Sequence, residues 1–162
     1  MNIQSMKATD LDSVLEIEKI SFLNPWPRAF FLDELEKRHA RSYIVSHNGC
    51  EIPKAYTRRQ VDGYACFNVA ADELHLLKMA VRPEMRNRKI ALHFLETCFS
   101  HALEEKLSCV FLEVRRSNET AVNLYEKLGF RLIAVRPDYY PGNAGKREDA
   151  LIMRKILKGG SK

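Results

Sequence analysis

Residues 110–130 read VFLEVRRSNETAVNLYEKLGF, and this stretch decides the fold. The apolar run at residues 109–114 predicts a compact β-strand, because it is short and bounded by polar residues. Glu113 interrupts the run near its C-terminal end. Ligand sites in α/β sheets favour the carboxyl ends of strands, so Glu113 is a candidate site residue. The alternative is a glutamate that faces a sheet edge.

The second half of the stretch predicts a helix over residues 117–128. Ser117 or Asn118 supplies the N-cap, and Gly129 supplies a usual C-terminal stop. Tyr125 lies two helical turns after Asn118, so the two side chains share a face. Tyr125 is therefore either a site residue or a core tyrosine.

Working outward from this stretch, residues 74–91 read LHLLKMAVRPEMRNRKIA. The pattern predicts a strand, a short basic loop and a long helix over residues 90–107. A helix N-terminus presents unpaired N–H groups and partial positive charge, which favours anions. Three cations crowd this turn: Arg86, Arg88 and Lys89. The cluster indicates either an anionic ligand or a solvated basic turn.

Shorter patterns complete the chain. Strands are predicted at residues 3–6, 42–46, 61–69, 130–135 and 150–155, with the third of these antiparallel to the strand at 74–81. A first helix starts at Thr9 or Asp10 and ends near residue 20. A second carries Phe30, Phe31 and Leu35 as its apolar stripe, and residues 47–60 form a polar connector. The resulting order, β-α-α-β-β-β-α-β-α-β-β, predicts a mixed α/β layer architecture.

Composition limits the class of protein. The chain has 162 residues, 46% hydrophobic and 29% charged, which fits one globular domain. It shows no apolar run long enough to span a membrane and no leader peptide, so we expect a cytoplasmic protein. The four cysteines, Cys50, Cys66, Cys98 and Cys109, show no metal-binding spacing and are expected to be reduced. We therefore expect no metal.

The chain is basic, with a net charge of +5 and a pI of about 9.1. Part of this charge lies in the C-terminal RKILKGGSK, which is expected to be a solvated tail. Charge alone keeps a nucleic-acid-binding protein open as an alternative, but no recognition motif or aromatic-basic stripe accompanies it. We expect no direct contact with nucleic acid.

Taken together, the two decisive stretches resemble the GNAT acetyltransferase superfamily. In the pyrophosphate loop of that superfamily, Gln or Arg is followed three residues later by Gly, and two residues after that by Gly or Ala. This chain has Arg86, Lys89 and Ala91 at the three positions. The second stretch matches the family's later element at every position of the motif: Ser117, Asn118, Ala121, Leu124, Tyr125, Gly129 and Phe130. Lys89 departs from the usual Gly. A helical backbone would tolerate Lys there, whereas a positive φ would damage cofactor binding.

Two further segments are similar to one branch, the RimI-type ribosomal-protein N-terminal acetyltransferases. Residues 24–27, Asn-Pro-Trp-Pro, with Phe30 resemble the early Pro-Trp element of that branch. Residues 136–141, Arg-Pro-Asp-Tyr-Tyr-Pro, and residues 147–153 resemble its ending, in which Glu-Asp-Ala precedes a Met. The alternative is an aromatic hairpin loop that packs on the core.

The resemblance implies a GNAT domain over residues 1–157 and a basic tail at 158–162. The implied α/β fold has a mixed, mostly antiparallel sheet of six or seven strands and about four helices. The sheet splays between the fourth and fifth strands, where the pantetheine arm of acetyl-CoA lies. The implied cofactor-binding residues are Met79, Ala80, Val81, Arg86, Asn87, Arg88, Lys89, Ile90, Ala91, Leu92 and Asn118.

The resemblance also implies direct attack of an amine on the thioester, without an acyl-enzyme. Glu113 is the implied general base, and Tyr125 is the implied acid that protonates the leaving thiolate, since its O–H is its only donor. Trp26, Tyr139 and Tyr140 are the implied substrate-binding residues.

The function implied is transfer of acetyl from acetyl-CoA to a protein N-terminus, with the N-terminal alanine of a small-subunit ribosomal protein as partner. Three alternatives stay open besides nucleic-acid binding: a GNAT enzyme for a small amine, one for a protein lysine, and a non-catalytic acyl-CoA-binding protein motivated by Lys89. The sequence gives no oligomeric state.

Overall fold

The computed structural model describes residues 1–46, 61–142 and 146–157. The predicted connector at 47–60 and the predicted tail at 158–162 lie outside the described residues. The domain limits drawn at residue 157 therefore stay a prediction.

Within the described residues, strands and helices follow one another in the predicted order. The strands are β1 (Asn2–Ser5), β2 (Ala40–Ser46), β3 (Gly63–Ala70), β4 (Glu73–Val81), β5 (Cys109–Arg115), β6 (Arg131–Pro141) and β7 (Arg147–Ile156). The helices are α1 (Leu11–Ser21), α2 (Arg28–Glu36), α3 (Ile90–Glu104) and α4 (Glu119–Lys127). Short 3-10 turns at Ala8–Asp10 and Pro83–Met85 precede α1 and α3.

The strands form a seven-stranded sheet in the order β1-β2-β3-β4-β5-β7-β6. β4 and β5 are parallel, and the remaining pairs are antiparallel, which confirms the predicted mixed sheet. The β4–β5 ladder pairs Glu73 to Leu76 with Cys109 to Leu112, the first half of each strand. The splay predicted between these two strands stays a prediction.

The described residues form two compact units. The first comprises Met1–Asn68 and Lys78–Thr97. Its core buries the apolar face of α1 against β2 and β3. The fully buried side chains include Leu11, Val14, Ile17, Phe31, Ile44 and Tyr64.

Phe30 is an exception to the predicted stripe of α2, because its side chain is 55% exposed while Phe31 is fully buried. Successive helical side chains point about 100° apart, so only one of the two can face the core. The Phe31 ring lies 5.5 Å from the Trp26 ring and 5.6 Å from the Tyr64 ring, between centroids. Phe31 thus joins α2 to β3, and Phe30 was wrongly placed in the stripe.

Asp10 stands at the N-cap of α1, as predicted, but its carboxylate does not cap that helix. Asp10 Oδ2 accepts a hydrogen bond from the Lys7 N–H at 2.8 Å instead. The acid therefore closes the preceding 3-10 turn.

The second unit comprises Val69–Leu77 and Cys98–Lys162. Its core includes Val110, Leu112, Phe130, Ala150 and Met153, each at most 3% exposed. The Phe130 ring lies 5.7 Å from the rings of both Phe99 and Tyr125, between centroids. These contacts connect α3 and α4 through the Phe130 ring.

The predicted end of β6 at residue 135 is wrong, since the strand continues to Pro141. A register shift separates the pairs Arg136–Ala150 and Tyr140–Glu148, and pairing with β7 resumes after it. Pro137 and Asp138 fall in this irregular part. A local pattern therefore misses the second half of the strand.

No helix in the described part of the chain is both long and apolar enough to cross a membrane.

Candidate active site

The predicted site residues divide between the two units. Trp26, Met79–Val81 and the loop from Arg86 to Leu92 belong to the first unit. Glu113, Asn118, Tyr125, Tyr139 and Tyr140 belong to the second.

In the second unit, Glu113 lies near the C-terminal end of β5, paired in register with Ile152 of β7. Its Oε1 lies 3.1 Å from Nη1 of Arg136 on β6. The Glu113 side chain is 31% exposed, so water can reach the carboxylate. Arg136 belongs to the Arg-x-x-Tyr-Tyr motif, but the sequence alone suggested no role for it.

Tyr125 lies on α4 and is nearly fully buried. Burial, with a smaller contribution from Tyr140, raises the pKa of Tyr125 to about 12. The phenol therefore keeps its proton at neutral pH and can donate a hydrogen bond. Contact of the Tyr125 ring with Phe130 fixes its position.

Tyr139 lies within the register shift of β6 and Tyr140 lies where pairing with β7 resumes, with their ring centroids 5.0 Å apart. The Arg115 guanidinium lies 4.5 Å from the Tyr140 ring centroid, and that of Arg136 lies 5.3 Å from the Tyr139 centroid. Burial raises the pKa of Tyr140 to about 12, and the charge of Glu113 adds to the effect. Tyr140 therefore lies within electrostatic reach of both Glu113 and Tyr125.

The Arg-Glu-Asp sequence at the start of β7 holds this irregular hairpin. Arg147 donates to the carbonyl oxygens of Asp138 and Tyr139 at 2.5 and 2.6 Å, and Asp149 accepts from the Asp138 N–H at 3.2 Å. Asp138 has φ +49°, a left-handed conformation that needs such support. The motif therefore has a structural reason, since it stabilises the backbone that carries both tyrosines.

Glu148 connects the same hairpin to the end of β5. Its carboxylate accepts from Arg115 Nη1 at 2.5 Å and from the Ser117 N–H at 3.4 Å. Hydrogen bonds from Ser117 and Arg115 hold the pKa of Glu148 below its ordinary value.

Asn118 is the N-cap of α4, which settles the choice between Ser117 and Asn118. Its Oδ1 accepts from the Ala121 N–H at 3.2 Å. The side-chain oxygen is therefore used in capping. The predicted contact of Asn118 with the cofactor stays a prediction.

In the first unit, the loop before α3 contains two left-handed residues, Asn87 and Lys89, each with φ +60°. Lys89 stands where the family motif has Gly, and its backbone has the positive φ that favours glycine, not the helical conformation that would tolerate Lys. The expected weakening of cofactor binding stays a prediction. The Lys89 carbonyl accepts from the His93 N–H at 3.1 Å, which starts α3. Arg88 and Lys89 are exposed at this helix N-terminus. Exposed cations there fit a phosphate group.

Arg86 has a different part in this loop. Its Nε donates to the Val81 carbonyl at 3.0 Å, and its Nη2 donates to Ser21 Oγ at 3.2 Å. The guanidinium thus fastens the loop to the ends of β4 and α1. The cluster of three cations is therefore explained in part by internal bonding.

The end of β4 carries the backbone predicted to bind pantetheine. Ala80 and Val81 are buried, and Met79 is half-buried. A Cβ on Gly63 of β3 would lie 2.8 Å from the Ala80 carbonyl oxygen, so only glycine fits this close approach. The Val81 carbonyl already accepts from Arg86.

Trp26 lies in the segment between α1 and α2 and is half-buried. Its backbone N–H donates to Oε1 of Glu18 at 2.7 Å. Glu18 and Lys78, which lies 3.0 Å from the same oxygen, were missed in the sequence. The available signal was a lysine inside the apolar run of β4.

Three of the four cysteines lie in the described residues, and all three are buried. Burial raises the pKa of the thiols of Cys66 and Cys98 to about 12, which keeps them protonated and unreactive. Both are free, as is the buried Cys109, while Cys50 lies outside the described residues. Among the residues that the structure describes, no group of His, Cys, Asp or Glu could hold a metal ion.

Residues 11–130 match the acetyltransferase (GNAT) family. The chain belongs to this family of acetyl-CoA-dependent N-acetyltransferases, as the two sequence motifs predicted.

Among its relatives, the ribosomal protein bS18-alanine N-acetyltransferase of Escherichia coli (strain K12) is 31% identical over 151 residues, 93% of this chain and 94% of that protein. The enzyme of the same name from Haemophilus influenzae is 28% identical over 155 residues, 96% of this chain and 98% of that protein. The crystal structure of the ribosomal-protein-S18-alanine N-acetyltransferase from Escherichia coli superposes with a TM-score of 0.85 at 28% identity, covering 99% of this chain and 96% of that one.

Proposed function

We propose that the chain transfers the acetyl group of acetyl-CoA to the α-amine of a protein N-terminus, and that its substrate is the N-terminal alanine of a small-subunit ribosomal protein. The relatives from Escherichia coli and Haemophilus influenzae carry this activity in their names. The observation that carries the proposal lies in the second unit, where Tyr140 is within electrostatic reach of both the Glu113 carboxylate, which Arg136 holds at 3.1 Å, and the buried Tyr125 phenol. A carboxylate can accept the proton of the amine, and a protonated phenol can donate to the leaving thiolate. The proposed substrate also makes this a cytoplasmic enzyme.

The reaction forms a bond from the amine nitrogen to the acetyl carbon and breaks the bond from that carbon to sulfur. The amine must lose a proton, and the thiolate must gain one or be stabilised. Glu113 is the proposed proton acceptor, through water, since its carboxylate is partly exposed and pairs with Arg136. Arg136 holds one carboxylate oxygen, which limits the orientations that Glu113 can adopt.

Tyr125 is the proposed donor to the leaving sulfur. With a pKa of about 12, it is a weaker acid than a thiol of about 8.5 by about 3.5 pKa units. Full proton transfer to the thiolate is therefore uphill. Tyr125 acts by donating a hydrogen bond to sulfur as charge develops there, and solvent completes the protonation.

In the first unit, the loop from Arg86 to Leu92 is the proposed site for the pyrophosphate of acetyl-CoA. The exposed Arg88 and Lys89 and the start of the 15-residue helix α3 supply cationic side chains and N–H donors. The backbone of Met79 to Val81 is the proposed partner of the pantetheine arm. The donors present therefore fit acetyl-CoA.

The test is acetylation of a peptide that begins with alanine. The purified chain with acetyl-CoA should add one acetyl group to the N-terminal residue of the peptide, located by fragment mass spectrometry. A small primary amine at the same concentration should react far more slowly. Equal reaction of both would identify a small-amine acetyltransferase, and no reaction of the peptide would contradict the proposal.

A further inference from the structure

The first unit contains a carboxylate without contact to solvent. Glu18 on α1 is 0% exposed. A buried carboxylate is costly unless donors and a countercharge surround it. The groups that contact the Glu18 carboxylate must therefore stay in place for the fold to tolerate it.

Three groups from three elements contact the two carboxylate oxygens. Oε1 accepts from the Trp26 N–H at 2.7 Å and lies 3.0 Å from Nζ of Lys78 on β4. Oε2 accepts from the Tyr64 hydroxyl on β3. Burial and Glu18 together raise the pKa of Tyr64, so the phenol remains a donor.

Lys78 brings the charge of this group to neutrality and also contacts the segment between α1 and α2. Its Nζ lies 3.8 Å from the Phe22 ring centroid and 5.3 Å from the Trp26 ring centroid. The Lys78 side chain is 12% exposed. Both ends of this segment, Phe22 and Trp26, thus contact one buried ion pair.

A buried ion pair is a poor way to gain stability, since apolar residues of similar volume often serve as well. Its particular effect here is geometric. The Trp26 N–H has an acceptor in one position, and that acceptor is fixed to β4 through Lys78. The next residues of β4, Met79 to Val81, are those proposed to bind pantetheine.

We propose that Glu18 is a positioning residue: with Lys78 and Tyr64, it fixes the Phe22-to-Trp26 segment so that Trp26 is held for the peptide substrate relative to the cofactor-binding end of β4. This inference rests on the proposed function, because it takes Trp26 as a peptide-binding residue. Glu18 touches neither substrate in this role and acts through Trp26.

The chain has a single tryptophan, Trp26, so its fluorescence reports directly on this segment. Glu18→Gln keeps the shape of the side chain but removes its charge. We expect stronger acrylamide quenching and red-shifted emission in this variant. We also expect the KM for an alanine peptide to rise about tenfold or more, because small misplacements are costly, while the KM for acetyl-CoA stays unchanged.

Glu16→Gln is the matched control. Glu16 lies on the same helix, is 58% exposed and pairs with Arg82 at 3.3 Å. This variant should keep wild-type fluorescence and both wild-type KM values.

A second variant separates position from stability. Glu18→Leu with Tyr64→Phe and Lys78→Met replaces the polar group with apolar side chains and leaves no unpaired charge. We expect it to fold with a Tm near that of the wild type, and yet to keep a raised peptide KM, since the Trp26 N–H has lost its acceptor. If Glu18→Gln does not fold, this variant decides the question.

The outcomes separate the two proposals. Wild-type fluorescence and peptide KM in the folded variants would overturn the inference, as would an equal rise of both KM values. Altered fluorescence with an unchanged peptide KM would also overturn it, since Trp26 would then not serve the peptide. A different result would reject the proposed function instead. In that case the wild-type chain binds acetyl-CoA but acetylates no peptide, while the variants still show altered fluorescence.

Discussion

The carboxylate of Glu113 and the guanidinium of Arg136 lie 3.1 Å apart, on two strands that are not neighbours in the sheet order. β7 separates β5 from β6, so the two side chains meet across it. The Arg136 guanidinium also lies 5.3 Å from the Tyr139 ring centroid. The Arg136 guanidinium therefore contacts both the proposed base and Tyr139, a residue predicted to bind the substrate.

Arg136→Gln should lower kcat/KM roughly tenfold, because the Glu113 carboxylate and the Tyr139 ring both lose the group that orients them. Both partners are partly exposed, so the ion pair itself contributes little stability. Steady-state kinetics and thermal melts check this together. Arg131→Gln, on the same strand, is the control and should behave as the wild type. A loss of Tm that matches the loss of activity would contradict the orienting role.

How far the sequence could predict this site depends on the range of the contacts involved. The cap at Asn118, the helix to Tyr125 and the stop at Gly129 are local, and each is present, with Gly129 at φ +87°. The position of Glu113 near the end of β5 also follows from a local apolar run. Such features depend on residues a few positions apart, which is what a pattern records.

Features that depend on distant contacts were missed. Phe30 and Phe31 are equally apolar in sequence, and only packing on Tyr64 selects Phe31 for the core. The partners Glu18 and Lys78 are 60 residues apart (78 − 18), and no period relates them. The sequence left open whether the Lys89 backbone is helical or left-handed. The identity of the residue could not decide it, because lysine has no preference for a positive φ.

Tyr125→Phe should lower kcat by about 10²- to 10³-fold and leave the peptide KM nearly unchanged, because the hydrogen bond to sulfur is needed chiefly as the thiolate leaves. The ring would still pack on Phe130, so stability should change little. With a raised pKa of about 12, the phenol is protonated throughout the neutral range.

The pH dependence checks the same assignment. Tyr125 loses its proton only as the pH rises towards its raised pKa, so it contributes no limb to the rate profile between about pH 6 and 9. Wild type and Tyr125→Phe should therefore give profiles of the same shape at different heights. Tyr43→Phe, outside the site, should keep full turnover. A basic limb that disappears in Tyr125→Phe would show that the phenol titrates within this range.

Lys89→Gly should keep acetyl-CoA binding, because backbone donors and the helix start remain. The free energy of unfolding of Lys89→Gly should be about 1 kcal/mol higher than that of Lys89→Ala. Alanine keeps the strain of φ +60°, whereas glycine removes it. Lys89→Glu should weaken acetyl-CoA binding through repulsion of the phosphates. Urea unfolding and ligand-induced thermal shifts measure both effects. Equal acetyl-CoA affinity in Lys89→Glu and Lys89→Gly would show that the loop does not meet the pyrophosphate.

Gly63→Ala should destabilise the fold by about 1–3 kcal/mol, because the new methyl group would press on the backbone of β4. The added Cβ would lie 2.8 Å from the Ala80 carbonyl oxygen and 3.2 Å from both Val45 and Val81. Movement of Ala80 should also raise the KM for acetyl-CoA. Ala70→Ser, at the exposed end of β3, should change neither quantity. An unaltered free energy of unfolding in Gly63→Ala would mean that the β4 backbone can move away from the new methyl group without loss of stability.

The choice of amine is the last prediction, and it follows from proton affinity. An α-amine has a pKa of about 7.7–8.0 and a lysine side chain one of about 10.4, so at pH 7 roughly one α-amine in ten is neutral, against fewer than one lysine in a thousand. A single carboxylate such as Glu113, acting through water, is better matched to the α-amine. In a peptide that begins with alanine and contains internal lysines, the α-amine should be acetylated first and the lysines far more slowly. A formyl group on the N-terminus should abolish the product, whereas acetylation of the internal lysines beforehand should leave the rate unchanged. If the formylated peptide reacts as fast as the free one, the chain is a lysine acetyltransferase and the proposed substrate is wrong.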